Sequence, residues 1–158
     1  MTTLTADEIR SRVETDWNRI VKVLAEQVAL QSISAKGITA EHMKRSAEFV
    51  ADELRLVGVD TKVVQASNAD GTPGAWEVIG SHIVSPDAPT VLLYAHHDVQ
   101  PVPDPAEWNT DPFVATEIDG RLCGRGSADE CGGIAIHSGA RKALGDDRNV
   151  NIKVFIEG

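Results

Sequence analysis

This chain is short of the features that would place it outside the cell, in a membrane or on a nucleic acid. It has two cysteines, Cys123 and Cys131, too few for a disulfide framework. Residues 1–16 are polar and carry no apolar signal-peptide core, and no apolar run is long enough to cross a bilayer. These absences favour a reducing cytoplasm. Basic residues are outnumbered, 15 Lys and Arg against 24 Asp and Glu, and no Lys/Arg cluster offsets the net charge of -9. A nucleic-acid surface is therefore not expected, nor is a membrane partner. Internal repeats and low-complexity tracts are absent too. What remains is ordinary for a soluble domain, and 158 residues are enough to bury one core.

The order of elements follows from periodicity and breakers. Thr5 and Glu8 form a capping box ahead of a helix over residues 6–30, with Ile9, Val13, Trp17, Ile20, Leu24 and Val28 as its apolar stripe. Trp17 is placed in the core by that stripe. Residues 31–39 read as a loop. Thr39 caps a second helix that buries Met43, Ala47, Val50, Leu54 and Val57 and stops at Gly58, leaving His42 on its exposed face. Strands follow over 59–65 and 76–84, separated by a turn-rich stretch at 68–74, and His82 is a strand-surface residue. Residues 90–95 read as a fully buried central strand. A Pro-rich loop spans 100–105, and a hairpin pairs 114–118 with 121–122 about Asp119-Gly120. A glycine-rich turn at 124–133 precedes a helix over 134–144 that stops at Gly145, packs His137 toward the sheet and leads to a last strand over 151–156. The fold class is α/β, with a central, mostly parallel (mixed) sheet flanked by helices.

The stretch VLLYAHHD at 91–98 delivers His96, His97 and Asp98 from an apolar strand, and such groups resist burial unless bound to something. His96 and Asp98 share a face, so an imidazole can ligate while the carboxylate holds its ring. The plainer alternative is a strand that simply ends in solvent. The segment GRGSADECGG at 124–133 tips the balance. It lacks the Lys-Ser/Thr of a phosphate loop, and its Asp129-Glu130 would repel an anion but attract a cation. Sites in α/β sheets form beyond the carboxyl ends of strands, where His96, Asp129 and Glu157 could converge. One imidazole with carboxylates suits zinc, cobalt or manganese in a catalytic setting.

Four motifs in order, HHDVQPV at 96–102, WNTDPF at 108–113, GRGSADECGG at 124–133 and VFIEG at 154–158, resemble the di-zinc metallopeptidase family of carnosine dipeptidases, carboxypeptidase G, aminoacylases, acetylornithine deacetylase and succinyl-diaminopimelate desuccinylase. The Val-Gln-Pro-Val and Trp…Pro-Phe details lean toward its dipeptidase branch. The resemblance implies two zinc ions, with cobalt or manganese as substitutes. It implies that His96 ligates one ion, that Asp129 bridges both, and that Asp98 acts as the catalytic partner fixing His96. It also implies a cis bond between Asp129 and Glu130. His97, Glu130 and Cys131 stand behind the ligands, His97 facing them or solvent. Cys131 replaces a common Lys and is read as a packed small hydrophobe, and Ala95 replaces a common Gly.

The reaction implied is metal-dependent hydrolysis of a dipeptide or related amide bond, on a small peptide or N-acyl amino acid substrate. Residues 1–158 would form the N-terminal portion of a zinc-exopeptidase-like catalytic domain. The general base, the remaining ligands and the lid or dimerisation domain of a homodimeric full-length protein would lie beyond it. Glu157 precedes the family's Glu-Glu pair and is not the base. The chain by itself is thus expected to be inactive and to bind zinc weakly. The alternatives are an N-acyl amino acid deacylase of the same family, or a non-catalytic truncated homologue serving as an interaction or metal-binding module.

Overall fold

Thr5 starts the first helix by reciprocal capping. Its hydroxyl accepts from the Glu8 N–H at 3.3 Å, and the Glu8 carboxylate accepts from the Thr5 N–H at 2.7 Å. Helix α1 (Ala6–Ala29) then runs 24 residues and buries Val23, Gln27 and Val28. The structure, a computed structural model, describes residues 4–146 and 149–158. Trp17, expected in the core, is instead 56% exposed. The helix is turned so that Asp16 and Arg19 face inward. Asp16 pairs with Arg19 at 2.7 Å and with Lys142 at 2.6 Å, while Arg19 also bonds the buried carboxylate of Glu53. Meeting those charges rotates the indole outward.

Helix α2 (Glu41–Leu56) buries Met43, Ala47, Val50 and Leu54 as the apolar spacing predicts, together with Ser46 and Glu53. Its cap is Ala40, with no side-chain hydrogen bond, rather than the expected Thr39. The Thr39 carbonyl instead accepts from Trp76 Nε1 at 3.2 Å. His42 is half-buried rather than free on the surface, and its Nε2 donates to the Ile33 carbonyl at 3.1 Å. Gly58 follows at φ +83°, a left-handed setting that ends the helix without side-chain strain.

Strands β1 (Asp60–Ser67) and β2 (Pro73–His82) form an antiparallel pair. Next comes β3 (Thr90–His96), then a small hairpin of β4 (Thr116–Ile118) and β5 (Arg121–Cys123). Its turn places Asp119 and Gly120 at φ 50° and 73°, the pair of positive angles a two-residue hairpin loop needs. Helix α3 (Cys131–Leu144) begins three residues earlier than its apolar pattern suggests, and β6 (Asn151–Glu157) completes the main sheet. The strand order is β1-β2-β6-β3. Among the described residues the sheet is mixed, with only the β3–β6 pair parallel.

β3 is thus not the buried central strand expected from its apolar run. It lies at the sheet edge, with Val91 45%, Leu92 62% and Tyr94 51% exposed. The inserted β6 takes the central place and buries Ile152, Val154 and Ile156. Pro89 O accepts from the Asn151 N–H and the His97 N–H donates to Glu157 O, both at 2.8 Å. Odd-numbered residues of β3 therefore aim their backbone groups at β6, and Thr90, Leu92, Tyr94 and His96 aim theirs outward. Tyr94 O alone meets a side chain there among the described residues, His137 Nε2 at 3.0 Å.

The core lies between α2, α3 and one sheet face, and contains Val50, Leu54, Val78, Ile134, Val154 and Ile156. Each of the larger side chains, fully buried, contributes about 1.5–3 kcal/mol over exposure. The other face carries the exposed Ile79, Leu92 and Tyr94. No helix among the described residues is long and apolar enough to cross a membrane.

Candidate metal centre

Side chains alternate along a strand, so His96 and Asp98 leave the end of β3 on one side and His97 on the other. The His96 ring has a polar neighbour at each nitrogen. Its Nδ1 lies 3.0 Å from Asp98 Oδ1 and 3.1 Å from the Asp98 carbonyl, and its Nε2 lies 3.3 Å from Asp129 Oδ1. The segment after the strand is pinned. Val99 N–H donates to Ser32 O at 2.8 Å, Ser32 Oγ donates to His97 O at 2.5 Å, and Ile33 and Val99 form a parallel bridge.

Asp129 reaches the same point from the glycine-rich turn. Gly126, at φ +85°, lies so close to Val99 that a Cβ there would fall 2.6 Å from its Cγ1. Its carbonyl accepts from the Cys131 N–H at 3.0 Å, and the Asp129–Glu130 peptide bond is cis. Gly132 passes the Ser127 carbonyl with no room for a side chain. Glu130 is the cap residue of α3. Its carboxylate folds against Gly133 instead of lining the cleft. Cys131 is 1% exposed and packs with Ile33, Val99, Leu24 and Phe113. Burial pushes its thiol up to about 12, so it stays a neutral, packed group.

His97 is buried at 1% exposure, away from solvent and outside the cleft. Burial moves its pKa down, against the raising effect of its hydrogen bond to Trp76. The period-two alternation that puts His96 and Asp98 together also puts His97 in the interior, so this placement was available from the pattern.

The cleft around His96 encloses about 400 Å³ and is lined by Ser34, Tyr94, His96, Asp98, Asp129 and Glu157, among others. Tyr94 OH donates to Glu157 Oε2 at 2.7 Å, and this bond raises the phenol pKa. Nothing in their local pattern marks Tyr94 and Gln100 as lining residues, whereas Ser34 lies in the Ser-rich stretch 31–39, which reads as a plain loop and here borders the cleft. A second cleft, of about 560 Å³, has Ile33, Pro101, Val102, Trp108 and Phe113 among its walls, Ile33 and Pro101 being chain neighbours of Ser34 and Gln100 in the first. Arg125 stacks over the Trp108 ring at 5.1 Å.

The donors can be tested against a metal by their separation. Two ligands on a tetrahedral zinc, with bonds of about 2.0–2.1 Å, sit about 3.3 Å apart. His96 Nε2 and Asp129 Oδ1 are 3.3 Å apart and do not form a hydrogen bond. A neutral imidazole that gives its one proton to Asp98 turns a lone pair toward Asp129, an arrangement that a cation between them relieves. In type and spacing the pair fits zinc, cobalt or manganese. In number it falls short of a catalytic set, since no group of three His, Cys, Asp or Glu converges among the described residues.

Residues 92–158 match the model of peptidase family M20/M25/M40. A cysteinylglycine-S-conjugate dipeptidase of Corynebacterium striatum is 34% identical over 143 residues, 89% of this chain and 30% of its own length. The human β-Ala-His dipeptidase is 32% identical over 162 residues, 96% of this chain and 32% of that protein. The crystal structure of human carnosine dipeptidase 1 superposes with a TM-score of 0.81 at 29% identity, covering 96% of this chain and 34% of that one. The chain spans about a third of the length of the relatives it matches.

Proposed function

The chain is homologous to the dipeptidases of peptidase family M20/M25/M40, and from that premise we propose that it forms the N-terminal, metal-binding portion of a dipeptide hydrolase. The observation that carries this reading is His96 held between two carboxylates, Asp98 at Nδ1 and Asp129 at Nε2. Asp98 accepts the Nδ1 proton, which fixes the tautomer and leaves the Nε2 lone pair facing the cleft. Asp129 brings negative charge to the same point. A divalent ion held by His96 and Asp129 would supply Lewis-acid polarisation of an amide carbonyl and a lowered pKa for bound water. Two zinc ions, or cobalt or manganese in their place, are the proposed cofactors, with Asp129 as the shared ligand. Ser34, Tyr94 and Glu157 give the cleft a polar wall, and the second, more apolar cleft offers room for a substrate side chain. Both cysteines are unpaired, which fits a reducing cytoplasm.

With two converging donors, the 158-residue chain is expected to bind zinc weakly and to hydrolyse no dipeptide by itself. The test is a zinc titration of the chain beside His96→Ala and Asp129→Ala. Binding in the parent that both substitutions abolish supports the reading, and binding unchanged in both overturns it. Chelator-sensitive cleavage of an N-acyl amino acid in preference to a dipeptide would turn the reading to a deacylase.

A further inference from the structure

His97 belongs to neither cleft, yet it is the most heavily tied residue of the β3 end. Its Nε2 lies 2.7 Å from the Trp76 carbonyl in β2, and its Nδ1 lies 3.1 Å from Ser46 Oγ in α2. A carbonyl only accepts, so Nε2 carries the proton, and Nδ1 at 3.1 Å is a nearer acceptor for the single Ser46 hydroxyl proton than the His97 carbonyl at 3.4 Å. The ring is therefore neutral, buried and matched at both nitrogens. Its backbone is tied as well, through N–H to Glu157 O at 2.8 Å and C=O to Ser32 Oγ at 2.5 Å. One residue thus joins β2, α2, β6 and the loop after α1. Gly158 presses on the same place, where a Cβ would collide with the Trp76 carbonyl and lie 2.7 Å from His97 Nε2.

His96 and Asp98, by contrast, hold mainly each other. Because side chains alternate, fixing the ring at 97 fixes how the strand end is turned about its own axis. That turn decides whether residues 96 and 98 face the cleft. We propose that His97 is a positioning residue: by bridging Trp76 O and Ser46 Oγ it sets the rotation of the β3 end and so aims His96 and Asp98 at Asp129. The proposal rests on the metal reading above only for what the aimed pair binds. A residue that merely filled the space would leave Trp76 O without this donor and Ser46 Oγ with only the backbone carbonyl of residue 97, at 3.4 Å. A histidine meets both, with a donor on one side of the ring and an acceptor on the other.

The experiment compares the 158-residue chain with His97→Leu, which fills volume without bridging, His97→Gln, which reaches the Nε2 position and keeps the donation to Trp76, and Ser46→Ala. Thermal melts establish folding. Nitrogen-15 NMR of the His96 ring reads whether its proton stays on Nδ1 against Asp98, and competition with a chromophoric chelator reads zinc affinity. The folded His97→Leu variant is expected to lose the single His96 tautomer and at least about tenfold in zinc affinity. His97→Gln is expected to restore most of both, and Ser46→Ala to show a smaller fall in the same direction. An unchanged His96 tautomer in folded His97→Leu overturns the proposal. If that variant does not fold, an unchanged tautomer in Ser46→Ala does so. A parent chain that binds no zinc removes the metal reading, while the NMR comparison still decides the role of His97.

Discussion

His96 Nδ1 and Asp98 Oδ1 stand 3.0 Å apart, two residues along one face of a strand end. The carboxylate is 21% exposed and the ring 29%, so the pair sits at the cleft wall, partly shielded from water. A carboxylate placed behind an imidazole raises the basicity of the far nitrogen and limits the ring to one orientation. Asp98→Asn keeps the shape and removes the charge. Zinc affinity is expected to fall about 10–100-fold, with the melting temperature nearly unchanged. Calorimetric titration beside a thermal melt separates the two.

Metal binding should also register as stability. An ion that binds only the folded chain adds about 2.7 kcal/mol at about 100 times its Kd. Urea unfolding with and without zinc is expected to show such a gain in the parent chain and none in Asp129→Ala. An equal gain in both would place the ion elsewhere.

Cys131 distinguishes ligand from packing. Its neighbours are apolar, its thiol is buried and its pKa is pushed up to about 12. Cys131→Ser is expected to cost about 1–3 kcal/mol, because a hydroxyl would be buried there without a ready partner. Zinc affinity should not change. In the folded parent, a thiol reagent is expected to modify Cys123 well before Cys131.

The pairing that turns α1 has a pH signature. Burial works against the charge on Asp16, but hydrogen bonds from Arg19 and Lys142 override it and hold the carboxyl below its ordinary range. The folded pKa is the lower one, so the stabilisation is complete above the unfolded value of about 3.9 and is lost as pH falls through the folded value. Asp16→Asn is expected to destabilise the chain by about 1–3 kcal/mol near neutrality, mainly by leaving Arg19 and Lys142 short of a partner. The gap between parent and variant should narrow in acid, as denaturant melts at several pH values would show.

What could be read from the sequence was local. The capping box at Thr5, the buried face of α2, the Asp119-Gly120 turn and the stop at Gly145 each depend on residues close together in the chain, and all appear as expected. The larger failures depended on distant partners. The apolar run of β3 reads as buried, but β6, more than fifty residues on, takes the central place. Trp17 fits an apolar stripe, but Glu53 and Lys142 draw the neighbouring Asp16 and Arg19 inward. At the site, alternation put His96 and Asp98 on one face, whereas the approach of Asp129 depends on packing around Gly126 and Cys131 that no local pattern encodes.

The outward edge of β3 bears on how the protein behaves in a tube. Between Thr90 and His96 the strand has no Lys, Glu, Asp or Pro to discourage pairing, and His137 occupies just one of its outward carbonyls. The net charge of -9 keeps copies apart at low ionic strength. Added salt shortens the range of that repulsion, to about 10 Å at 0.1 M, and leaves the sticky edge untouched. Buffers chosen to suppress nonspecific binding are thus the ones in which this protein should cloud first, so dilute, low-salt storage is the safer condition.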